Sequence, residues 1–375
     1  MQRRKFIKGS AIVGLSLVTT PLLAVDPGMF FGKGKRKIYR ILTADRSMVG
    51  TLPVLRAFAG NHIDHVSPYV FFDEFGPVRV DAGSKPLRVD AHPHAGVTPT
   101  TYFLEGSGHH KDSLNYDFQI GKGDFMIFNS GRGAIHMEET GKQLYDKGGS
   151  YHGFQIWLNT PSRYKFADPS TVVHRTTNMD TIDTKEYWIR VVLGELLQAK
   201  SNVELLSPAF YYHVRMYDDS RLDIPTDPTH NAFIYLVSGK LELEGGQILQ
   251  PNQVALYERG ESTINLYAEC GAEFLVLGGQ PLGEPVFSYG PFVMNTEEQI
   301  RLCIQNYQGG RGGFGRGKWV IRMWVESVSI PIPPQYPSSP SQTPPSWAGS
   351  GPGPLLRISP GCLLCRSCRS VGTPF

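Results

Sequence analysis

Cysteine is scarce in this chain and badly spread. Of five cysteines, Cys270 and Cys303 stand apart in the body of the sequence, while Cys362, Cys365 and Cys368 crowd its last residues. A small secreted domain stapled by disulfides distributes an even number of cysteines through its core. This chain must fold on apolar burial instead. An excess of charge is missing too: 37 basic residues face 34 acidic ones, for a formal net charge of +3. That balance gives no electrostatic ground for nucleic acid or a membrane surface as the main partner. Helical periodicity is absent from the middle of the chain. With 41 Gly and 28 Pro to make turns, its absence points to an all-β protein. A length of 375 residues leaves room for two domains, each with its own core.

No apolar run is long enough to span a bilayer, which takes roughly 20 residues. The run from Ala11 to about Val18, with Leu22-Leu23-Ala24 after it, suits the apolar part of a signal peptide over residues 1–24. It follows Arg3-Arg4-Lys5-Phe6-Ile7-Lys8, which resembles a twin-arginine export signal; an ordinary secretory signal with a chance Arg pair is the alternative. The expected location is the periplasm, without stable membrane insertion. A protein exported in the folded state can acquire its metal in the cytoplasm, where competition from copper and zinc is controlled.

From about Lys37 to Asn159 the sequence reads as short strands between turns: Tyr69 to Phe72, Thr100 to Leu104, Asp124 to Phe128 and Gly153 to Leu158. The second half repeats the plan. Ile120 to Gly131 aligns with Leu249 to Gly260 at an offset of 129, and Leu104-Glu105-Gly106 aligns with Val237-Ser238-Gly239 at an offset of 133. Two matches in the same order indicate a duplicated β-barrel, with one barrel over 38–165 and its copy over 180–308. Near Thr296 the spacing turns helical, up to Tyr307. Residues 309–375 then form a low-complexity tail, too poor in periodic apolar positions to pack and expected to be disordered. The abrupt onset of this tail suggests an out-of-frame reading. Cys362, Cys365 and Cys368 have the spacing of half a metal motif but lack a second ligand pair, so chance explains them better.

Two pairs of residues carry the chemistry. His92 and His94 flank Pro93, and His136 and Glu138 follow a glycine-rich turn. Side chains at i and i+2 of a strand point to one side. If the two strands are neighbours, three imidazoles and a carboxylate converge inside the first barrel. Three nitrogens and one oxygen suit a six-coordinate metal with about two open positions, as in non-haem Fe(II) proteins, more than a closed structural zinc site. As a ligand, Glu138 binds in its ionised form. His109 and His110 are rivals, but adjacent residues on a strand point to opposite faces, and a solvated loop fits them better. His152 has no second residue to support it. Carried across by the two offsets, the ligand positions become Pro225, Asp227, Asn265 and Tyr267 in the second barrel, which is no coherent metal set. His213 and His230 stand unpaired there and read as structural.

The strings HPHAGVTPTTYFLEGSGHHKDS, GKGDFMIFNSGRGAIHMEE and GFQIWLN, in this order, resemble the N-terminal barrel of pirins. VSPYVFFDEFGPV fits the early strands, and GEPVFSYGPFVMNTEEQI resembles the pirin C-terminal signature, so the likeness runs over roughly 38 to 308. The resemblance implies two tandem cupin barrels of the double-stranded β-helix type and a short C-terminal helix. It places one divalent metal on His92, His94, His136 and Glu138, with Fe(II) expected and Mn, Ni, Cu or Zn able to use the same donors. The family usually has Arg where this chain has Ala95 and Glu where it has Thr98, which weakens inference about the substrate. By resemblance to quercetin 2,3-dioxygenases, the implied activity is oxygenation of a flavonol or similar small aromatic substrate by dioxygen, with Glu138 also able to take the substrate proton. The alternative is a redox-responsive metal protein that alters a protein partner without turnover. An exported protein does not meet DNA, so no nucleic-acid partner is expected.

Overall fold

The computed structural model describes residues 34–59 and 65–315. The export signal read over 1–24, the tail beyond Gly315 and the Cys362, Cys365 and Cys368 cluster lie outside the described residues. No helix among the described residues is long and apolar enough to cross a membrane.

The chain forms two tandem β-barrels and a short C-terminal helix, as expected. In the first barrel a seven-stranded sheet contains, in order, Ser170–His174, Phe125–Asn129, Val97–Glu105, Gly149–Asn159, Tyr69–Val80, Leu52–Phe58 and Asp45–Val49. Facing it is a four-stranded sheet of Arg88–His94, Ala134–Thr140, Gly108–Asp112 and Asp117–Ile120. The second barrel is built on two 17-residue strands, Ala209–Pro225 and Thr263–Gly279, which pair along their whole length. Their burial shows why both stay extended. In its first part Ala209–Pro225 is buried at nearly every residue, because the other barrel covers its second face. From Ser220 it alternates, with Ser220, Leu222 and Ile224 buried and Arg221, Asp223 and Pro225 exposed. The helix Glu297–Gln308 starts where Thr296 accepts a hydrogen bond from the Gln299 amide, with Glu297 and Glu298 in its first turn.

The barrels share one apolar core. Phe58, Tyr69, Phe72 and Phe154 of the first pack against Tyr211, Phe233, Leu275 and Leu277 of the second. Among the polar ties that cross it, two match. The Tyr102 hydroxyl lies 3.0 Å from His213 Nδ1, whose Nε2 lies 2.8 Å from Glu273. The Tyr235 hydroxyl donates to Glu74 at 2.5 Å, and His152 lies 2.7 Å from the same carboxylate. Tyr102 and Tyr235 are 133 positions apart, the hairpin offset of the repeat. Each barrel therefore lends the same tyrosine to a His–Glu pair of the other. His213 is held in a structural tie, as its reading from sequence has it, and His152 is occupied at this interface.

Barrel membership is not contiguous along the chain. Ile38–Thr43 pairs antiparallel with Gln253–Tyr257, so the first described strand belongs to the second barrel, not to a unit spanning 38–165. The segment after the second barrel returns to the first. Phe292, Met294, Ile300, Ile304, Tyr307 and Phe314 cover Ala95 and Ile135 on the outside of the four-stranded sheet. Residues 309–315, counted with the tail from composition, thus belong to the fold. Phe314 is 1% exposed, and a Cβ on Gly133 would meet its ring at 2.1 Å. Local composition cannot see edge pairing or apolar cover supplied from two hundred residues away.

Two outcomes follow from the shared core. Phe233→Ala should cost about 3–5 kcal/mol and lower the stability of both barrels in one urea transition; separate transitions for the barrels would contradict a common core. Burial alone would raise the Glu273 carboxyl, but hydrogen bonds and charge from His213 and Arg215 hold it down at about 2. Its contribution is therefore present above the unfolded carboxylate range, about pH 4.3, and is lost as the pH falls towards 2. Glu273→Gln should be less stable at neutral pH and lose less stability between pH 5 and pH 2 than the parent, as read by urea midpoints.

Candidate metal centre

The strand Arg88–His94 pairs antiparallel with Ala134–Thr140, which sets His136 opposite His92 and Ala134 opposite His94. His92 and His94, two apart on one strand, turn the same way and meet His136 between them. Their rings form a triangle with centroid separations of 4.4, 4.9 and 4.9 Å. A bulge between His136 and Glu138 shifts the register, so Glu138 faces Val89 on one side and His110 on the other.

Each of the first two imidazoles has its Nδ1 occupied. His92 Nδ1 lies 2.7 Å from the Asp90 carbonyl, and His94 Nδ1 lies 3.2 Å from the Pro291 carbonyl. A carbonyl only accepts, so both Nδ1 atoms carry the proton and both Nε2 lone pairs are free to bind. Burial pushes all three imidazoles below their usual range, His94 and His136 strongly, with the neighbouring histidines adding to the effect. The neutral ring is the metal-binding form. His92 Nε2 and His136 Nε2 are 3.0 Å apart. Two ligands at right angles, each about 2.1 Å from one ion, lie about 3.0 Å apart. On donor type, protonation and spacing, the residues fit a divalent transition metal.

Glu138 stands at the edge of this group. His92, His94 and His136 form one set of close donor atoms, and Glu138 forms another with His136 and His110. Its two oxygens accept hydrogen bonds from Thr101 Oγ1 at 2.9 Å and Gln155 Nε2 at 2.7 Å, and its charge acts on His92. The structure therefore brings the three predicted histidines together directly, with the predicted carboxylate adjoining them through His136. Beside them opens a cavity walled by Phe71, Phe75, Phe103, Tyr151 and Trp157, with His92, His94, Glu138 and Gln155 as its polar side. An apolar, aromatic lining with a few convergent polar groups is that of a small-molecule site.

Several site features were not legible. Thr101 and Gln155, which hold Glu138, come from strands of the opposite sheet. Gln155 and Trp157 alternate at period two on Gly149–Asn159, a pattern that could have placed both on the inner face. The Pro291 carbonyl arrives from the far end of the chain and left no local signal. Lys165, also buried, donates to the carbonyls of Gly96 and Val293 and to Asn159, tying the turn after His94 to that returning segment. Ala95 and Thr98, the departures from the family pattern, do not line the cavity. Ala95 packs under Phe292, and Thr98 bonds Asn129 and Thr160.

Two expectations need correction. His109 and His110 do not lie in a solvated loop but on the strand Gly108–Asp112, with His110 fully buried. The offset mapping of the ligands also misses the inner face of the second barrel. Pro225, Asp227, Asn265 and Tyr267 lie on its solvent side, because a slip of one residue turns a strand over. The residues facing in are Leu222 opposite Leu266 and Ile224 opposite Ile264, all within the apolar core.

Comparison with known proteins is consistent across both barrels. The pirin family model matches residues 51–158, and the model of the pirin C-terminal cupin domain matches 211–313. A protein of Pseudomonas aeruginosa, provisionally named quercetin 2,3-dioxygenase, is 29% identical over 272 residues, 72% of this chain and 95% of that protein. Human pirin is 27% identical over 292 residues, 76% of this chain and 97% of its own length. The crystal structure of quercetin 2,3-dioxygenase from Acinetobacter baumannii superimposes with a TM-score of 0.72 at 27% identity, covering 75% of this chain and 99% of that one. A bacterial pirin from Escherichia coli, in complex with nickel(II), shares the fold with a TM-score of 0.50 at 18% identity, covering 64% of this chain and 100% of that one.

Gln155→Leu removes the 2.7 Å bond to the Glu138 carboxylate. The loss should destabilise the protein by about 1.5–3 kcal/mol, the range for hydrogen bonds to charged groups. Urea unfolding of the metal-free protein measures it, and an unchanged midpoint would show that Gln155 does not hold Glu138.

Proposed function

Because the chain belongs to the pirin family of cupin proteins, we propose that it is a metal-dependent oxygenase acting on a flavonol or a similarly flat, vicinally oxygenated aromatic. In this reading one divalent metal, iron(II), sits on His92, His94, His136 and Glu138. The observation that carries it is the meeting of three imidazoles, two of them with free Nε2 lone pairs, at one side of a cavity with aromatic walls. The names of the Pseudomonas and Acinetobacter relatives support the substrate class, and the nickel(II) in the Escherichia coli pirin supports a divalent metal.

When bound, the metal would supply open coordination positions that bring the substrate oxygens and dioxygen together. The chain's own residues do the rest. Phe71 and Trp157, stacked at 4.2 Å, and Tyr151 on Phe75 give flat apolar walls that hold a ring and exclude water. Thr101 and Gln155 aim the Glu138 carboxylate, which can accept a proton from a substrate hydroxyl. The carbonyls of Asp90 and Pro291 keep the protons of His92 and His94 on Nδ1, away from the centre.

Metal-free protein titrated with iron(II) under argon should gain stability, by about 2.7 kcal/mol at a hundredfold excess over Kd. On admission of air, the loaded protein should consume dioxygen with quercetin, and His94→Ala should lose both effects. Binding of iron(II) without dioxygen uptake across a flavonol panel would remove the oxygenase reading. It would leave the redox-responsive metal protein, which pull-downs with its oxidised and reduced forms would then examine.

A further inference from the structure

His136 differs from the other two imidazoles in lacking a backbone carbonyl on Nδ1. Its Nδ1 faces His110 Nδ1 at 3.5 Å, a long contact, and its ring is stacked on Phe128 at 4.5 Å. Behind His110 lies Asp112, also fully buried. The Leu114 and Tyr116 amides donate to Asp112 Oδ1, and the Thr171 hydroxyl donates to Oδ2. Asp112 is thus an acceptor, and His110 Nε2, 3.0 Å from Oδ2, must be the donor. A neutral imidazole protonated on Nε2 has its lone pair on Nδ1. With His136 Nε2 on an ion, the proton in the gap to His110 is the one on His136 Nδ1. His136 Nε2 lies 3.0 Å from His92 Nε2, whose ring carries its proton on Nδ1, so two lone pairs face each other at a distance that calls for a cation between them.

We propose that Asp112 and His110 are positioning residues, a buried carboxylate–imidazole relay that fixes His136 as the Nδ1–H tautomer and so presents its Nε2 as a metal donor. The proton on His110 Nε2 stands on the hydrogen bonds; the proton on His136 Nδ1 rests on the reading above of a metal on its Nε2. The relay also assigns a part to His110 within its close group with His136 and Glu138: its lone pair is committed to His136, so it serves the site without ligating.

Asp112→Asn tests the relay sharply. The Leu114 and Tyr116 amides require an oxygen, so they hold the new amide oxygen and turn its NH₂ towards His110. His110 Nε2 must then accept, its proton moves to Nδ1, and His136 is forced to carry its proton on Nε2, inside the site. Two-bond ¹⁵N–¹H imidazole spectra of the full chain read this directly, metal-free and with zinc(II). The parent protein should show His110 as Nε2–H in both states and His136 as Nδ1–H with zinc(II), and Asp112→Asn should show His110 as Nδ1–H when metal-free. Zinc(II) affinity by chelator competition should fall about 10–100-fold in Asp112→Asn and stay near the parent value in Thr171→Val. Parent His110 found as Nδ1–H, a zinc(II)-ligated His110 nitrogen, or Asp112→Asn binding zinc(II) like the parent would each overturn the relay. The parent spectra suffice even if the variant does not fold. His110 as Nε2–H in a parent that binds no zinc(II) would sustain the Asp112–His110 pair and remove the metal reading instead.

Discussion

The antiparallel pairing of Arg88–His94 with Ala134–Thr140 is the constraint on which this protein depends. It puts His136 opposite His92 and turns both, with His94, to the inside of the first barrel. Strand side chains alternate with period two, so a slip of one residue would send every one of them to the opposite face. The second barrel shows the other outcome with the same architecture. Its paired strands turn Leu222, Ile224, Ile264 and Leu266 inward, and the interior closes on apolar side chains. One backbone plan thus yields a polar, hollow site or a filled core according to which residues face in.

That pairing is held from outside. The outer faces of Ala95 and Ile135 are apolar and would be wet if the chain ended with the second barrel. The returning segment covers them with Phe292, Ile304, Tyr307 and Phe314. The same segment delivers the Pro291 carbonyl to His94 Nδ1, so cover and proton placement come from one stretch of chain. Lys165 joins the two with three acceptors and no carboxylate among them.

The barrels also brace each other. The seven-stranded sheet that supplies Thr101, Gln155 and Trp157 has its other face in the core shared with the second barrel. Tyr102 and Tyr235 cross that core in opposite directions to reach His213 and Glu74. A site whose imidazole nitrogens stand 3.0 Å apart is held by such backing, because dense packing transmits displacement instead of absorbing it. The duplication is therefore structural as well as historical: the copy with an apolar interior stiffens the copy with the histidines.

Much of this was legible in the linear chain because it is written at short range. Period-two spacing marks His92 with His94 and His136 with Glu138, glycine turns delimit the hairpins, and a Thr cap with acidic first-turn residues announces the helix at Glu297. Those signals determined an all-β duplicated fold and a candidate donor set. What they could not determine is anything set by register or by distant chain. HHKDS reads locally as a polar turn, yet strand pairing buries His110 and Asp112 behind His136. The strand at Ile38 completes the far barrel, and Phe314, in a glycine-rich stretch, closes the near one. Periodicity says which residues share a face, but only the packed structure decides which face is inside, because that choice is made by the apolar surface each strand meets after the chain has returned.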